Sequence, residues 1–444
     1  MSFNQSNMSV SVSPMNSVFN QLIAQFPTFD SLKTYLDSIG VKAHTKEGDP
    51  LVIFRYHRES CDMKNPVVQL FRSVIWDSLK NKPVFVAPVK SQSLETLPTD
   101  FSSVVVEEFV DGVMVNLFVD PYKGCWRIAT RSRLDADNKF YKYTFSELFF
   151  TTWNDSFPNQ QFGEGLNSQW GYSFVLQHPL NRIVVPVMKR CLVLVEVMNI
   201  SASTEACPLD NMQYVRGELM KMLVSSTQNY VSGNETNASM NLLTPRSFAV
   251  TSTQECLLLL NNMEQFEGIR SQGIVVRHLL TGQRWKMRTN AYVYCRKLRG
   301  NHSQLEYVWF DNLKNNTLEQ YLTMYPEEVA AAHIAMSNWS KVVSEIYDWY
   351  VHVFKVRDVA KETIPAHLKG ILFDLHGQYI SRLSKEKKSL DWKEHQLIMA
   401  NQDLKRIVFL STFKEGATPP PSFQKRQKFA SAKALKLETK MDAE

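Results

Sequence analysis

The spacing of apolar residues divides this chain into two parts. Up to about residue 300 they fall in short runs rich in β-branched and aromatic side chains, which is typical of β-strands. Beyond that point they recur every three or four positions, which is typical of amphipathic helices. The strand-like runs are 51–54, 83–88, 126–130, 174–176, 182–187, 191–197, 273–278 and 283–287, with a partly helical or irregular segment at 67–76. The pattern predicts an antiparallel α+β body followed by an all-helical C-terminal domain.

The segment 104–119 is the most strand-like part of the chain. Two apolar runs flank Asp111-Gly112, and an Asp-Gly pair readily adopts the positive φ angles of a two-residue turn. The pattern therefore predicts a β-hairpin with its turn at these two residues. A second strand pair is expected around the turn 280–282.

Helices are expected at both ends of the chain. Residues 18–39 show helical spacing, with Asp30-Ser31 as a cap before Leu32. Pro326 is followed by two glutamates, which favours a helix start because proline fits the first turn and acids interact well with the positive end of the helix dipole. Further helical segments are predicted at 214–223, 364–383 and 391–410.

Composition sets the expected domain boundaries. A Ser- and Asn-rich N-terminus predicts disorder over 1–16, and a Ser-, Asn- and Thr-rich segment at 225–241 is expected to be a surface loop. The first domain is predicted at 17–300 and the helical domain at 301–412. Prolines and scattered lysines and arginines then predict a mobile basic tail at 413–444.

The composition excludes several classes of site. Six scattered cysteines with no CxxC pair argue against a zinc cage or a disulfide framework, and no set of metal-binding residues has metal spacing. The most apolar long stretch, 183–200, contains Pro186, Lys189, Arg190 and Glu196, so no membrane span is expected. We expect an intracellular protein, cytoplasmic or nuclear. The net charge of +6 is consistent with a polyanionic partner.

Eight short segments carry a recognisable order of motifs. They are Phe54-Arg55-Tyr56-His57; 71–77; 82–87; Phe109-Val110-Asp111-Gly112; Thr130-Arg131-Ser132; 174–185; Gln272-Gly273-Ile274-Val275-Val276; and Lys286-Met287-Arg288 with Tyr292-Val293. In this order they resemble the ATP-dependent RNA ligases of the phage RNA ligase 1 type. The resemblance covers roughly residues 50–300 and, more loosely, the helical part.

The resemblance implies a nucleotidyltransferase core followed by a helical domain. Enzymes of this family attach AMP to a lysine, pass it to an RNA 5′-phosphate and seal the nick with a 3′-hydroxyl. They are common in phages and large DNA viruses, so a viral source is expected by resemblance. ATP and Mg²⁺ are implied as cofactors only if activity persists.

Three departures from the family pattern concern the chemistry. Phe109 stands where the resemblance places the lysine nucleophile, and a phenyl ring has no lone pair that could attack phosphorus. Val175 and Gln272 stand where it places two glutamates. The resemblance therefore predicts a pseudo-ligase with no catalytic residue.

Cations largely remain where anions are missing. Arg72, Lys286 and Arg288 match basic positions of the family, and Asp111 is also kept; these four are predicted to bind nucleotide or RNA phosphate. A surface that interleaves cations with aromatic residues is predicted to contact RNA. Its basic members are Arg284, Arg296, Lys297 and Arg299.

Two alternatives stay open at this stage. One is an active ligase with a relocated lysine, for which Lys90 is the nearest candidate before the central strand. The other is a structural subunit of a larger complex that binds a protein partner through the helical domain.

Overall fold

The computed structural model describes residues 14–92, 94–158, 160–164, 166–199, 242–278 and 283–414. The chain divides into two compact units, Met1–Arg296 and Lys297–Glu444. Five expectations fall wholly or largely outside the described residues. They are the disordered N-terminus, the helix at 214–223, the loop at 225–241, the turn at 280–282 and the basic tail.

The first sheet has four antiparallel strands in chain order. They are β1 (Val41–His44), β2 (Leu51–Tyr56), β3 (Val74–Asp77) and β4 (Lys82–Val86). Helices α1 (Pro14–Gln25) and α2 (Phe29–Ser38) cover one face, and α3 (Pro66–Leu70) precedes β3. The single helical segment expected at 18–39 is wrong in its cap. The hydroxyl of Thr28 accepts from Ser31 N (3.3 Å) and starts a second helix there.

The second sheet runs in the order β10-β9-β8-β6-β7. Its strands are β6 (Val113–Val119), β7 (Trp126–Thr130), β8 (Trp170–Gln177), β9 (Cys191–Asn199) and β10 (Leu242–Leu243). Only the β9–β10 pair is parallel among them. Helix α4 (Phe145–Ser156) packs on one face through Phe149 and Trp153. Leu51 and Ile53 of the first sheet pack against residues of the second sheet such as Phe118.

The strand predicted at 182–187 is wrong. The backbone there is irregular, and the amides of Val184 and Val185 both donate to Oδ2 of Asp111 at 3.0 Å. A carboxylate therefore takes the donors that a neighbouring strand would have used.

The third sheet has the order β11-β5-β12-β13 and is antiparallel throughout. Its strands are β5 (Val104–Glu108), β11 (Ser247–Phe248), β12 (Gly273–His278) and β13 (Arg284–Arg288). Helix α5 (Thr253–Glu267) covers one face through Cys256 and Met263. The predicted strand pair at 273–278 and 283–287 is confirmed by β12 and β13.

The hairpin predicted at Asp111-Gly112 is also wrong. Strands β5 and β6 belong to different sheets, so the segment is a crossover. Phe109 N still donates to Gly273 O (2.8 Å) in the third sheet. Gly112 then has φ +149°, and a Cβ there would lie 2.5 Å from Leu176 O and 2.7 Å from Val175 Cγ1. Glycine is required because the crossover passes against β8.

All regular secondary structure in the described part of the second unit is helical. The helices are α6 (Asn290–Arg299), in which the division between the units falls, α7 (Leu305–Lys314), α8 (Leu318–Met324), α9 (Val329–Tyr350), α10 (Ala366–Gln378), α11 (Trp392–Ala400) and α12 (Leu404–Thr412). Short 3₁₀ turns occur in both units. They lie at Leu94–Thr96, Pro179–Asn181 and Gly268–Arg270 in the first unit and at Pro326–Glu328 and Lys361–Thr363 in the second. The second unit also has π-type turns at Val351–Val356 and Tyr379–Leu383.

Two details of the helical prediction differ in outcome. The start at Pro326 is confirmed, because a 3₁₀ turn leads directly into α9. The segment 391–410 holds two helices rather than one, since the side chain of Asp403 accepts from Lys405 N (2.9 Å) and begins a new helix. None of the described helices has the length and apolar composition to cross a membrane. The predicted class, α+β with antiparallel sheets and a helical C-terminal region, is confirmed.

Candidate functional site

The first unit contains a cavity of about 300 Å³ between its sheets. The crossover from β5 to β6 forms one wall, and β12 and β13 form another. Met114, Val175 and Val195 line it from the second sheet. Its volume is at the lower end of the range for small-ligand sites.

The alternation of a β-strand explains why cations face this cavity. On β13 the side chains of Arg284, Lys286 and Arg288 line the cavity, whereas Trp285 and Met287 point to the opposite face and pack against α5. A period of two therefore places three cations in one row.

Positive charge dominates the lining. Two acidic side chains, Glu108 and Asp111, reach the cavity wall. The basic side chains that line it are Arg58, Arg72, Lys90, Arg131, Arg277, Arg284, Lys286, Arg288 and Arg296. Such an excess in a partly enclosed site favours a bound anion.

Asp111 is fully occupied by the protein itself. Its Oδ2 accepts the amides of Val184 and Val185, and its Oδ1 accepts the hydroxyl of Tyr292 at 2.7 Å. Burial and the nearby Asp111 carboxylate raise the pKa of Tyr292 well above its usual range. The carboxylate thus fixes the crossover in place, and the contact of Asp111 with a ligand phosphate stays a prediction.

A buried ion cluster accounts for two further carboxylates. Arg277 on β12 pairs with Glu196 on β9, and its Nε lies 3.4 Å from Glu107 on β5. All three side chains are almost completely buried. The cluster joins the second and third sheets, and a lone member would be a costly buried charge.

The remaining acid at the cavity, Glu108, also has a cationic partner. Its Oε2 accepts from Arg246 Nε (2.9 Å), and Arg246 binds Glu267 through its other nitrogens. Mg²⁺ prefers carboxylate oxygens and water. The carboxylates near this cavity bond to arginine, tyrosine or backbone N–H groups, and no group of three metal-binding side chains occurs in the described part of the chain. The residues present do not fit a divalent cation.

The ammonium group of Lys286 has no counter-charge among the described residues. Lys286 is partly buried, and the described residues give its ammonium group neither a hydrogen bond nor an ion pair. Burial, followed by the charges of Arg288, Arg72, Arg58 and Arg284, lowers the pKa of Lys286 to about 8.

Arg72 likewise has no carboxylate partner in the described structure. Its Nη1 donates to Pro88 O (3.2 Å) and lies 3.9 Å from Met114 Sδ. Burial is the main cause that lowers the pKa of Arg72. Lys286 and Arg72 thus carry charge that nothing in the described protein neutralises directly.

Phe109 lies at the cavity wall rather than in the core. Arg288 stacks over its ring at 5.2 Å and over the ring of Tyr292 at 5.5 Å. In the amide orientation that satisfies both ends, Gln272 donates to Val110 O (3.2 Å) and accepts from Arg288 at 3.0 and 3.1 Å. The aromatic ring and the glutamine together hold one guanidinium.

Val175 belongs to an apolar patch on the other wall. It packs with Val193 and Val195, and Val110 and Met114 lie against them. The cavity therefore combines a cationic wall with an apolar one, a combination that suits a phosphate linked to a flat, apolar group.

The structure brings together most of the residues singled out from the sequence. Phe109, Val175, Gln272, Arg72, Asp111, Lys286, Arg288, Arg284, Arg296 and Lys90 all line the cavity. Arg284 is buried there instead of lying on an open surface.

Two residues of the predicted RNA surface fall outside the cavity. Lys297 and Arg299 belong to the second unit. Arg299 is only 4% exposed, donates to Tyr321 OH (3.1 Å) and lies 3.8 Å from Glu328. Arg299 is therefore a buried partner within the helical unit and not an exposed side chain; its role in an RNA surface stays a prediction.

Sequence reasoning missed three lining cations. Arg277 lies two residues after Val275 on β12, so both side chains face the cavity. Arg131 lies within a segment that resembles the ligases, and Arg58 directly follows another such segment. The signal for Arg277 was the strand period, but its partner Glu196 is 81 residues away.

Comparisons with known proteins give structural similarity alone. Neither a protein-family model nor a curated protein sequence matches this chain. Among solved structures, a Naegleria gruberi RNA ligase mutant with ATP and Mn aligns over 48% of this chain and 58% of its own, at 11% identity and a TM-score of 0.33. An archaeal ATP-dependent RNA ligase aligns over 71% of this chain and 73% of its own, at 11% identity and a TM-score of 0.42. The aligned region spans less than two thirds of the Naegleria protein.

Proposed function

We propose that this chain is an RNA-ligase-like protein that transfers no AMP and binds RNA through the phosphate groups that enter its cationic cavity. One observation carries the proposal. At the position that matches the ligase nucleophile, a phenyl ring packs against Arg288, and Lys286 and Arg72 beside it have no carboxylate partner among the described residues.

Adenylyl transfer fails on two counts in this arrangement. Phe109 supplies no lone pair, and loss of a nucleophile costs about 10⁶-fold in well-studied serine enzymes. The carboxylates that could hold Mg²⁺ are bound to Arg277, Arg246 or the crossover backbone. AMP capture at the position of Phe109 therefore lacks an attacking atom, and the cavity lacks a fitting metal site.

The cations and the aromatic ring at the cavity are suited to binding RNA. Unpaired cations gain a counter-charge when a phosphate enters, and this gain weakens with salt. Phe109 offers a ring at the same wall, and base–aromatic stacking contributes about 1–3 kcal/mol per base. A free nucleotide has the same two chemical parts and is the secondary ligand of this proposal.

An amine elsewhere in the cavity supports one competing candidate. Lys90 and Lys286 both line the cavity, and an unprotonated lysine amine has the lone pair needed to attack phosphorus. This candidate predicts AMP on one of these two lysines, which peptide mass spectrometry would locate.

The deciding experiment incubates the purified full chain with α-labelled ATP and Mg²⁺ or Mn²⁺, followed by denaturing electrophoresis. An intact RNA ligase serves as the positive control. We expect no labelled protein, together with salt-dependent binding of a fluorescent 12-nucleotide RNA. A covalent AMP adduct overturns the non-catalytic part of the proposal, and absence of RNA binding at low salt overturns the binding part.

A further inference from the structure

A second group of cations lies at the rim between the first and second sheets. Arg55 is at the end of β2 and His44 at the end of β1, while Arg131 and Arg133 follow the end of β7. Only Arg131 of these four lines the cavity.

The strand pattern explains why charge collects at this rim. On β2, Leu51 and Ile53 point into the apolar layer between the two sheets, where they meet Phe118 and Ala129. The next side chain on that face is Arg55. The apolar layer therefore ends in a cationic edge, since β7 also ends there and continues into its two arginines.

The rim residues repel one another. His44 Nε2 accepts from Arg55 Nε (2.9 Å) and lies 3.4 Å from Nε2 of His57. Burial and the charges of Arg55, His57 and Arg133 lower the pKa of His44 to about 4. Burial, Arg131 and Arg133 likewise lower the pKa of Arg55.

Acidic side chains near the rim are bound elsewhere. Asp135 accepts from Arg127 and Lys46, and Asp49 pairs with Arg127. Among the residues that the structure describes, no acidic side chain forms an ion pair with Arg55, Arg131 or Arg133 at the rim.

The rim continues directly from the cavity. The Nε of Arg131 donates to Arg72 O (3.2 Å), and its guanidinium lies 4.8 Å from the centre of the Tyr56 ring. Arg131, Arg72 and Tyr56 all line the cavity, while Arg133 lies two residues beyond Arg131 and is exposed. A chain that leaves the cavity past Arg131 therefore meets Arg55 and Arg133.

We propose that Arg55, Arg131 and Arg133 form a second phosphate-binding segment, which holds a single-stranded RNA where it leaves the cavity. This inference rests on the proposed RNA binding by the cavity. A duplex does not fit, because a cavity of about 300 Å³ has room for about one nucleotide and not for a base-paired end.

The test compares two ligands and two matched variants. The ligands are a fluorescent nucleoside 5′-monophosphate, which fits within the cavity alone, and a 12-nucleotide single strand. The variants are Arg133→Glu at the rim and Arg270→Glu, another exposed arginine of the first unit, at the end of α5. Binding is measured by fluorescence anisotropy between 50 and 300 mM salt.

We expect Arg133→Glu to weaken binding of the 12-nucleotide strand by about fivefold or more and to reduce its salt slope by about 0.7 for the lost phosphate contact. Binding of the nucleoside monophosphate by Arg133→Glu, and binding of either ligand by Arg270→Glu, should stay within about twofold of wild type. Arg55→Met with Arg133→Ala, checked for folding by circular dichroism, should reduce the slope by about 1.4.

The outcomes separate the two proposals. If both rim variants bind the long strand as wild type does while Lys286→Met weakens both ligands, the rim proposal is overturned and the cavity proposal stands. If wild type binds neither ligand at low salt, the proposed function itself is overturned, and the rim proposal falls with it.

Discussion

Lys286→Met separates ligand binding from stability. The substitution keeps an unbranched apolar stem and removes the ammonium group. In the folded chain this group is partly buried among Arg288, Arg72 and Arg58 and has no described partner, so its pKa falls from 10.5 to about 8. The charge therefore opposes folding of the ligand-free protein, and its removal should stabilise the protein.

The size of the effect follows from that pKa. A fall in pKa from 10.5 to about 8 corresponds to at most about 3.4 kcal/mol, at 1.36 kcal/mol for each pKa unit. Solvent at the cavity mouth reduces this, so we expect a gain of about 1–2 kcal/mol at pH 7, or roughly 2–6 °C in Tm. The cost is fully present below pH 8, because the folded chain must then hold the proton.

The pH dependence gives the sign an independent check. Between pH 8 and 10.5 the unfolded chain binds more protons at Lys286 than the folded chain does, so wild-type stability rises relative to the variant. The advantage of Lys286→Met should thus shrink through this window and vanish above it. RNA affinity of wild type should fall as pH rises through about 8, since Lys286 loses its charge.

The assay is thermal unfolding followed by circular dichroism at pH 7, 9 and 10.5, with anisotropy for RNA binding. Lys64→Met, at an exposed lysine of the first unit, is the matched control and should change neither quantity. We expect Lys286→Met to be more stable and to bind RNA at least tenfold more weakly. A variant that is less stable at pH 7, or that binds RNA as wild type does, would refute the account of Lys286.

Three further substitutions test the crossover and its ring. Asp111→Asn should lower the free energy of unfolding by about 2 kcal/mol in denaturant, because one side-chain oxygen that accepts a buried hydrogen bond becomes an NH₂ group. Equal stability would contradict the role of Asp111 in holding the crossover in place. Gly112→Ala should lower stability by about 2 kcal/mol or more, since its Cβ would meet Leu176 O at 2.5 Å; Gly124→Ala, whose Cβ would meet nothing within 4 Å, is its control for the cost of a positive φ alone. Phe109→Leu should leave folding intact and weaken binding of a 12-nucleotide RNA by about fivefold or more through lost stacking; unchanged affinity in anisotropy would show that the ring does not contact a base.

The ion cluster around Arg277 places an arginine beside carboxylates that would otherwise be available to a metal ion. A guanidinium between Glu107 and Glu196 supplies a positive charge that is part of the chain and buried between two sheets. Both carboxylates are thereby committed to the fold. The positive charge of the remaining lining is left for an anionic ligand.

The sequence alone predicted three of the four strands of the third sheet, all except β11, and the two faces of β13. The alternation Arg284, Lys286, Arg288 against Trp285 and Met287 already separated a polar face from a core face. This succeeds because side-chain direction along a strand depends only on the local two-residue period. The switch to helices beyond residue 300 was also predictable, because the spacing of apolar residues in a helix is likewise a local pattern.

Tertiary structure decided which strands pair and what each charge meets. Apolar runs on either side of Asp111-Gly112 predicted a hairpin, but β5 pairs with β12, more than 160 residues later in the chain. Three charged side chains likewise have partners that are separated from them in sequence: Asp111 bonds to Tyr292, Arg277 to Glu196 and Arg299 to Glu328. Local periodicity carries no information on such partners, because pairing depends on the total burial and hydrogen bonding of segments far apart in sequence.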